Sequence, residues 1–224
     1  MPRPSKPTGS PSYPKRKAMA KMAPFTPNRT KRQTALNRQE LKALDTGIST
    51  VVDTTTEVIN QIATVVQGDS FNNRDGATIL VKSIQITGRI TQVPAAAATS
   101  APIFYLWIVL DRQPNGAALV VTDFLTSQTA NLALPVVPNQ FRFKTLGRIC
   151  IPMNTGAGVT TAYNNYSQPV EWYYKFKTPL EIRYNGNAGT VADLATNGLS
   201  LVCGAADSDD TIAFNGTCRI RFTG

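Results

Sequence analysis

The chain has no histidine, only three cysteines, and a single acidic residue among its first 42 positions. Without imidazole there is no Ser-His-Asp triad, no Cys-His pair, no His-ligated zinc and no histidine general base. Cys150, Cys203 and Cys218 are too few and too widely spaced for a disulfide framework, and none sits in a CxxC spacing that would hold a metal. Cys203 and Cys218 face each other across a candidate hairpin, yet buried free thiols are the expected state. The first residues carry no apolar h-region of a secretory signal, so synthesis in a reducing cytosol is expected. The sequons that begin at Asn28, Asn165 and Asn215 are then read as chance matches.

Long hydrophobic runs are also missing. Ile90–Leu110 is uncharged, but Pro94, Pro102, Thr91, Gln92, Thr99 and Ser100 confine its strongly apolar part to Ile103–Leu110. So short a run cannot cross a bilayer as a helix, which takes about 20 residues. It fits a buried strand, and no membrane insertion is expected. There is no Gly-rich phosphate loop leading into a helix, no nucleophile elbow and no telling pair of carboxylates, so enzymatic activity is not expected. The one dense acidic cluster, Asp207, Asp209 and Asp210, reads first as a solvated turn. Its second reading is a set of oxygen ligands for Ca²⁺, completed by a neighbouring chain at a subunit contact.

What the chain does have is charge of one sign in one place. Residues 1–42 hold Arg3, Lys6, Lys15, Arg16, Lys17, Lys21, Arg29, Lys31, Arg32, Arg38 and Lys42 against Glu40 alone, a net +10. The rest of the chain holds 12 basic and 13 acidic side chains, a net −1. The tail also carries seven prolines up to Pro27 and almost no large apolar groups, so its first 28 or so residues bury too little to offset ordering entropy. A disordered basic arm is expected over residues 1–44, with a short helix near 30–44 where Leu36, Leu41 and Leu44 are loosely amphipathic. Such an arm is either a solubilising or targeting tail or a polyanion binder, in which each Lys or Arg set against a phosphate releases condensed counterions. Pro14-Lys15-Arg16-Lys17 resembles a short nuclear-import signal, making host import machinery a candidate partner. With only Tyr13 and Phe25 as aromatics, the arm would contact backbone phosphate more than bases.

From residue 45 to 224 the pattern is that of strands. Leu80–Thr91 alternates, with Ile84, Ile86 and Ile90 on one parity. Ile103–Leu110 is apolar throughout, as for a strand covered on both faces, with a neighbouring subunit as a candidate outer cover. Further runs lie at Phe141–Leu146, Val170–Phe176, Pro179–Tyr184, Leu199–Cys203 and Thr217–Phe222, separated by Gly, Pro, Asn and Asp clusters. Helical periodicity is confined to a turn or two within Val120–Ser127. The body is therefore an all-β sandwich or barrel.

A basic arm, a short helix and a neutral β body is the layout of a viral coat protein, and particular words sharpen the likeness. Val66-Gln67-Gly68-Asp69, Asn73-Arg74-Asp75-Gly76 and Val81–Gly88 resemble the approach to, and first main strand of, single-jelly-roll capsid proteins. Trp107–Gly116 and Phe141–Leu146 are similar to later strands in capsids of small circular single-stranded DNA viruses. Leu199–Cys203 and Cys218–Phe222 resemble the closing strand pair of geminivirus-like coats. The same words also resemble coat proteins of satellite RNA plant viruses.

The resemblance implies an eight-stranded antiparallel jelly roll of sheets B-I-D-G and C-H-E-F. It further implies self-assembly into an icosahedral shell, with 60 copies for the smallest, and packaging of a single-stranded genome, DNA rather than RNA. Virion localisation follows, with host cytoplasm and nucleus during assembly. With strand B placed at 79–92, D at 140–152 and I at 212–222, the core parity takes Phe141, Phe143, Ile149, Cys218, Ile220 and Phe222. Arg89, Arg142, Lys144, Arg148, Arg219 and Arg221 then share one outer face, a basic wall facing genome phosphates or a neighbouring subunit. The alternative to the wall is that scattered strand arginines merely keep an outer face soluble, and the alternative function is a non-viral nucleic-acid-binding β module with a basic tail. Loops at 94–101, 114–119, 153–168 and 185–197 are candidates for the outer surface of a shell.

Overall fold

The computed structural model describes residues 40–52, 57–93, 103–126, 133–153, 167–206 and 211–224. Residues 39–224 form one compact unit. Nine strands are described: β1 (Lys42–Val52), β2 (Val58–Gln61), β3 (Thr78–Val93), β4 (Ile103–Asp111), β5 (Phe143–Pro152), β6 (Ser167–Tyr184), β7 (Leu194–Thr196), β8 (Gly198–Ala206) and β9 (Thr211–Thr223). A single helical turn, α1 (Val121–Phe124), lies in the β4–β5 connection, within the segment where the sequence shows helical periodicity.

The strands form a five-stranded sheet, β1-β9-β3-β6-β7, and a four-stranded one, β2-β8-β4-β5. Every pairing between them is antiparallel. Lettered in chain order, with β7 as an added edge on β6, the two sheets read B-I-D-G and C-H-E-F. The jelly roll is as expected, but its lettering is displaced. The strands read from sequence as B, C and D are β3, β4 and β5, which occupy positions D, E and F.

The displacement arises upstream, where β1 and β2 were not expected. Lys42–Leu44, the end of the expected helix, belong to β1, so the boundary drawn at 44/45 runs inside a strand; of the remainder, Glu40 and Leu41 are not helical and residues 30–39 lie outside the described residues. The β-branched run Ile48-Ser49-Thr50-Val51-Val52 outweighs the helix formers before it, because its alternate members Ile48, Thr50 and Val52 are buried in the sandwich.

Between the sheets lies one core. Sheet one contributes Ile48, Ile84, Ile86, Ile90, Phe214, Cys218, Ile220 and Phe222, and sheet two contributes Phe104, Leu106, Ile108, Leu199, Leu201 and Cys203. Phe104 and Phe214 meet across it with ring centroids 5.7 Å apart. The Phe214 ring lies over Gly88 of the adjacent strand in its own sheet, where a Cβ would stand 2.6 Å from it. Cys203 and Cys218 therefore belong to opposite sheets as free buried thiols, and desolvation pushes each up to about 12. Val170–Phe176 and Pro179–Tyr184 are one strand, β6, whose register to β3 slips between Val81 and Ser83.

The doubly apolar β4 is explained within the chain itself, correcting the idea of a neighbouring subunit as its cover. Phe104, Leu106, Ile108 and Leu110 face the main core. Tyr105, Trp107 and Val109 face outward under a second cluster made by Leu119, Val121, Phe124, Leu125, Ala133 and Phe143. The connection between β4 and β5 is thus a roof over sheet two.

A second correction concerns β5. Its register to β4 shifts at Ile108/Val109, where Leu146 is the extra residue. The bulge flips side-chain parity along the strand. Ile149, opposite Leu106, packs on the main core, Phe143, opposite Asp111, packs under the roof, and Phe141 lies before the strand at 78% exposure.

Candidate nucleic-acid interface

The outer face of sheet one follows directly from its registers. Across β1, β9, β3 and β6 the residues line up in rows: Ala43, Arg221, Ser83, Lys175; then Asp45, Arg219, Gln85, Tyr173; then Gly47, Thr217, Thr87, Glu171; then Ser49, Asn215, Arg89, Pro169. These are the parities opposite to Ile84, Ile86, Cys218 and Ile220, which the core takes. The face carries four cations and two carboxylates, with Tyr173 55% exposed beside them. A shallow groove of about 290 Å³ runs between Asp45, Gln85, Thr87, Thr217 and Arg219.

The cations on this face are not equally available. Arg219 gives a bidentate pair to Asp45, Nε and Nη2 each 2.6 Å from a carboxylate oxygen. That hydrogen bond, reinforced by the nearby positive charges, holds the Asp45 carboxyl below its ordinary value against a small desolvation penalty. Arg221 donates to Gln85 Oε1 at 3.4 Å, and Arg89 Nε donates to Ser167 Oγ.

The basic wall does not form as expected. Arg89, Arg219 and Arg221 share the outer face of sheet one, whereas Arg142, Lys144 and Arg148 belong to β5 and the turn before it, in the other sheet. The reason is the displaced lettering: β5 is strand F at the edge of sheet two, not a neighbour of β9. Arg142 pairs in bidentate fashion with the buried Asp111 at 3.0 and 2.9 Å, lies over the Phe143 ring at 4.6 Å, and is held more strongly protonated by that carboxylate. Arg148 lies 4.6 Å over the Trp107 ring. These two bind their own fold. Lys144, opposite Leu110, sits on the exposed edge of sheet two.

Tyr173, Lys175 and Asp45 were not singled out from sequence. The signal was present in Val170–Phe176, where Trp172 and Phe176 pack against the core with Tyr174 on the same parity between their rings, and Glu171, Tyr173 and Lys175 take the other. It becomes useful once β6 is known to lie beside β3.

Arg74, quoted above only within Asn73-Arg74-Asp75-Gly76, has the largest fully buried side chain among the described residues. It donates Nε to Val65 O at 3.0 Å, Nη1 to Gly76 O and Nη2 to Gly186 O, and stacks 4.3 Å over Tyr184. Tyr184 Oη in turn donates to Ala63 O at 2.7 Å. The guanidinium thereby ties the β2–β3 loop to the β6–β7 loop. Its partners are carbonyls and a ring face, the acceptors a buried cation needs, so it is a structural pin.

Arg3, Lys6, Lys15, Arg16, Lys17, Lys21, Arg29, Lys31, Arg32 and Arg38 lie outside the described residues, as do Asp207, Asp209 and Asp210. Among the described residues no group of three or more Cys, Asp or Glu side chains is placed to hold a metal. No described helix is long and apolar enough to cross a membrane.

A family model described as geminivirus coat protein/nuclear export factor BR1 matches residues 1–223. No curated protein matches the chain. Among solved structures it is similar to a chain of the T13 infectious bursal disease virus particle at 6% identity and a TM-score of 0.34, covering 83% of this chain and 32% of that one. The Gt strain of the same virus gives 9% identity, a TM-score of 0.31, and coverage of 84% and 34%. The VP2 subviral particle gives 10% identity, a TM-score of 0.26, and the same coverage. The chain thus spans about a third of the length of each of these capsid chains.

Proposed function

The chain belongs to the geminivirus coat protein/nuclear export factor BR1 family, and on that premise we propose that it is the subunit of a small icosahedral shell that packages single-stranded DNA through its basic arm. The observation that carries the reading is the division of charge, +10 over residues 1–42 and −1 over the remainder. In a shell of 60 copies such arms bring on the order of 600 positive charges, enough to neutralise a similar number of phosphates. A genome of a kilobase or two would be only partly neutralised by them.

Arg89, Arg219, Arg221 and Lys175 on the outer face of sheet one are the body's contribution to that balance. Tyr173 beside Lys175 offers a stacking surface for an unpaired base, a contact that tolerates any sequence. Arg142 and Arg148 are left out of this set because the buried Asp111 and Trp107 engage them, whereas Asp45, the partner of Arg219, is half exposed and a phosphate can take its place. Pro14-Lys15-Arg16-Lys17 is the segment that would address the protein to host nuclear import.

The test compares full-length protein with a chain lacking residues 1–32 by electron microscopy, size-exclusion chromatography and absorbance at 260 and 280 nm. Shells from both, with nucleic acid only in the full-length particles, support the reading. A small soluble species that binds nucleic acid favours the non-viral binding module. Equal encapsidation of single-stranded RNA and DNA removes the DNA preference alone.

A further inference from the structure

The roof over sheet two has two apolar sides. Its inner side, Leu119, Val121, Phe124, Leu125, Ala133 and Phe143, is consumed against Tyr105, Trp107 and Val109. Its outer side leaves Val120, Leu134, Val137 and Phe141 at 53%, 69%, 68% and 78% exposure. Among the exposed large apolar residues described, no other connection carries more than two, Val66 and Phe71 between β2 and β3. Between Gln113 and Phe141 the only ionisable side chain is Asp123, so the segment lacks the charges that ordinarily keep a surface in water.

The outer side is also held in place. Leu125 and Pro135 form an antiparallel bridge. Thr126 N donates to Leu134 O and Val136 N to Phe124 O, both at 2.9 Å. Asn139 Nδ2 donates to Asp123 O at 2.7 Å, and Arg112 Nη1 to Phe141 O at 3.2 Å. Apolar side chains fixed on such a frame lose little freedom on being covered.

We infer that the outer side of the β4–β5 connection, centred on Leu134, Val137 and Phe141, is a contact between copies of this chain. The inference rests on the shell reading above and names the surface that holds the shell together. Charge depletion with exposed large apolar groups is the composition of an interface core rather than of a free surface. The four exposed side chains amount to roughly half of the ~800 Å² that one partner brings to a standard interface, enough for its apolar centre. A nucleic acid is the poorer occupant, because the segment carries no cation between Gln113 and Phe141 and, of the arginines that flank it, Arg142 is held by Asp111 and Arg112 by the Phe141 carbonyl. A second copy is the occupant that a coat-protein family supplies.

The experiment uses the full chain with the triple substitution Leu134→Asp, Val137→Asp and Phe141→Asp, beside the apolar exchange Val137→Ile with Phe141→Leu. Particle yield is read by size exclusion and electron microscopy, and folding by the thermal midpoint. The expected result is a triple variant that melts as wild type yet gives at least ~10-fold fewer particles, while the apolar exchange assembles. Retention of wild-type particles at about 1 M salt, where phosphate contacts are screened, is the second expected result. Normal shells from the folded triple variant overturn the inference, and so does dissolution of wild-type shells at that salt. Should the triple variant melt lower, Phe141→Ser, at the most exposed of the positions, decides on the same yield. Failure of the wild type itself to form particles would defeat the shell reading instead, a distinguishable outcome.

Discussion

Sheet one leaves Asp45, Gln85, Thr87, Arg89, Tyr173 and Arg219 on an open outer face, whereas sheet two puts Tyr105, Trp107 and Val109 there and covers them with its own connection. The inner faces are alike, both filled by Ile, Leu and Phe. The difference shows that strand composition reports how many faces are covered: alternation in β3 and β9 accompanies one wet face, and the unbroken apolar run of β4 accompanies two dry ones. It also divides the arginine pairs, since Arg219 over the wet face holds a half-exposed Asp45 while Arg142 at the roofed sheet holds a buried Asp111 and is taken up in holding the fold.

The comparison is tested hardest by deleting one aromatic from each environment. Trp107→Ala under the roof should cost about 3–5 kcal/mol, as much as Phe214→Ala in the central core, while Tyr173→Ala on the open face stays within about 0.5 kcal/mol. Urea unfolding of the subunit measures all three. A Trp107→Ala midpoint close to that of Tyr173→Ala would mean that the roof is detached in solution and the two outer faces are equivalent.

A smaller effect sharpens the distinction between inner and outer faces. The buried thiols of Cys203 and Cys218 are pushed from 9.0 up to about 12 by desolvation, whereas Cys150 is exposed. A thiol-reactive chromophore at neutral pH should therefore label one cysteine in the native protein and three after unfolding. Because the folded-state value is raised, the unfolded chain ionises first. Stability from these thiols is complete below about pH 9 and lost as pH rises toward 12. Cys203→Ala together with Cys218→Ala should flatten that alkaline limb, and an unchanged limb would place its origin elsewhere.

The smallest effect belongs to the wet face. Asp45 is depressed from its ordinary 3.8 chiefly by the Arg219 hydrogen bond, so its contribution is present above that pH and fades as pH falls through the lower folded value. Both partners are nearly half exposed, and solvent screening keeps the gain small. The unfolding midpoint of Asp45→Asn should lie slightly below wild type at pH 6 and converge with it near pH 2. Parallel curves across that range would show the pair to be without consequence.

Much of this architecture was legible in the chain. Period-two alternation located β3, β8 and β9 and assigned Ile84, Ile86, Cys218, Ile220 and Phe222 to the core. Two things were not legible, and each has a physical cause. The strand β1 follows a stretch of helix formers, so local propensity competed with a pairing to β9 that closes only over the whole length of the body. The parity of β5 depends on a bulge at Leu146, which leaves no mark on an alternating sequence, and this misplaced Phe143, while the displaced lettering put the three β5-side cations in the wrong sheet. The wet-face set was half legible: Arg89, Arg219 and Arg221 came from parity alone, while Lys175 and Tyr173 required knowing that β6 is the neighbour of β3.

The pairing of β1 with β9 sets Lys42 beside Phe222 and Val52 beside Ile212, with β3 on the other flank of β9. In the order in which a ribosome delivers the chain, the first strand of the sheet must wait for the last before it has a partner. A chain interrupted anywhere before Thr211 leaves β1 without a partner, β3 with one bare edge, and the core without Phe214, Cys218, Ile220 and Phe222. Sheet one, and with it the outer face that carries Arg89, Arg219 and Lys175, is thereby assembled in one step, when β9 enters between β1 and β3.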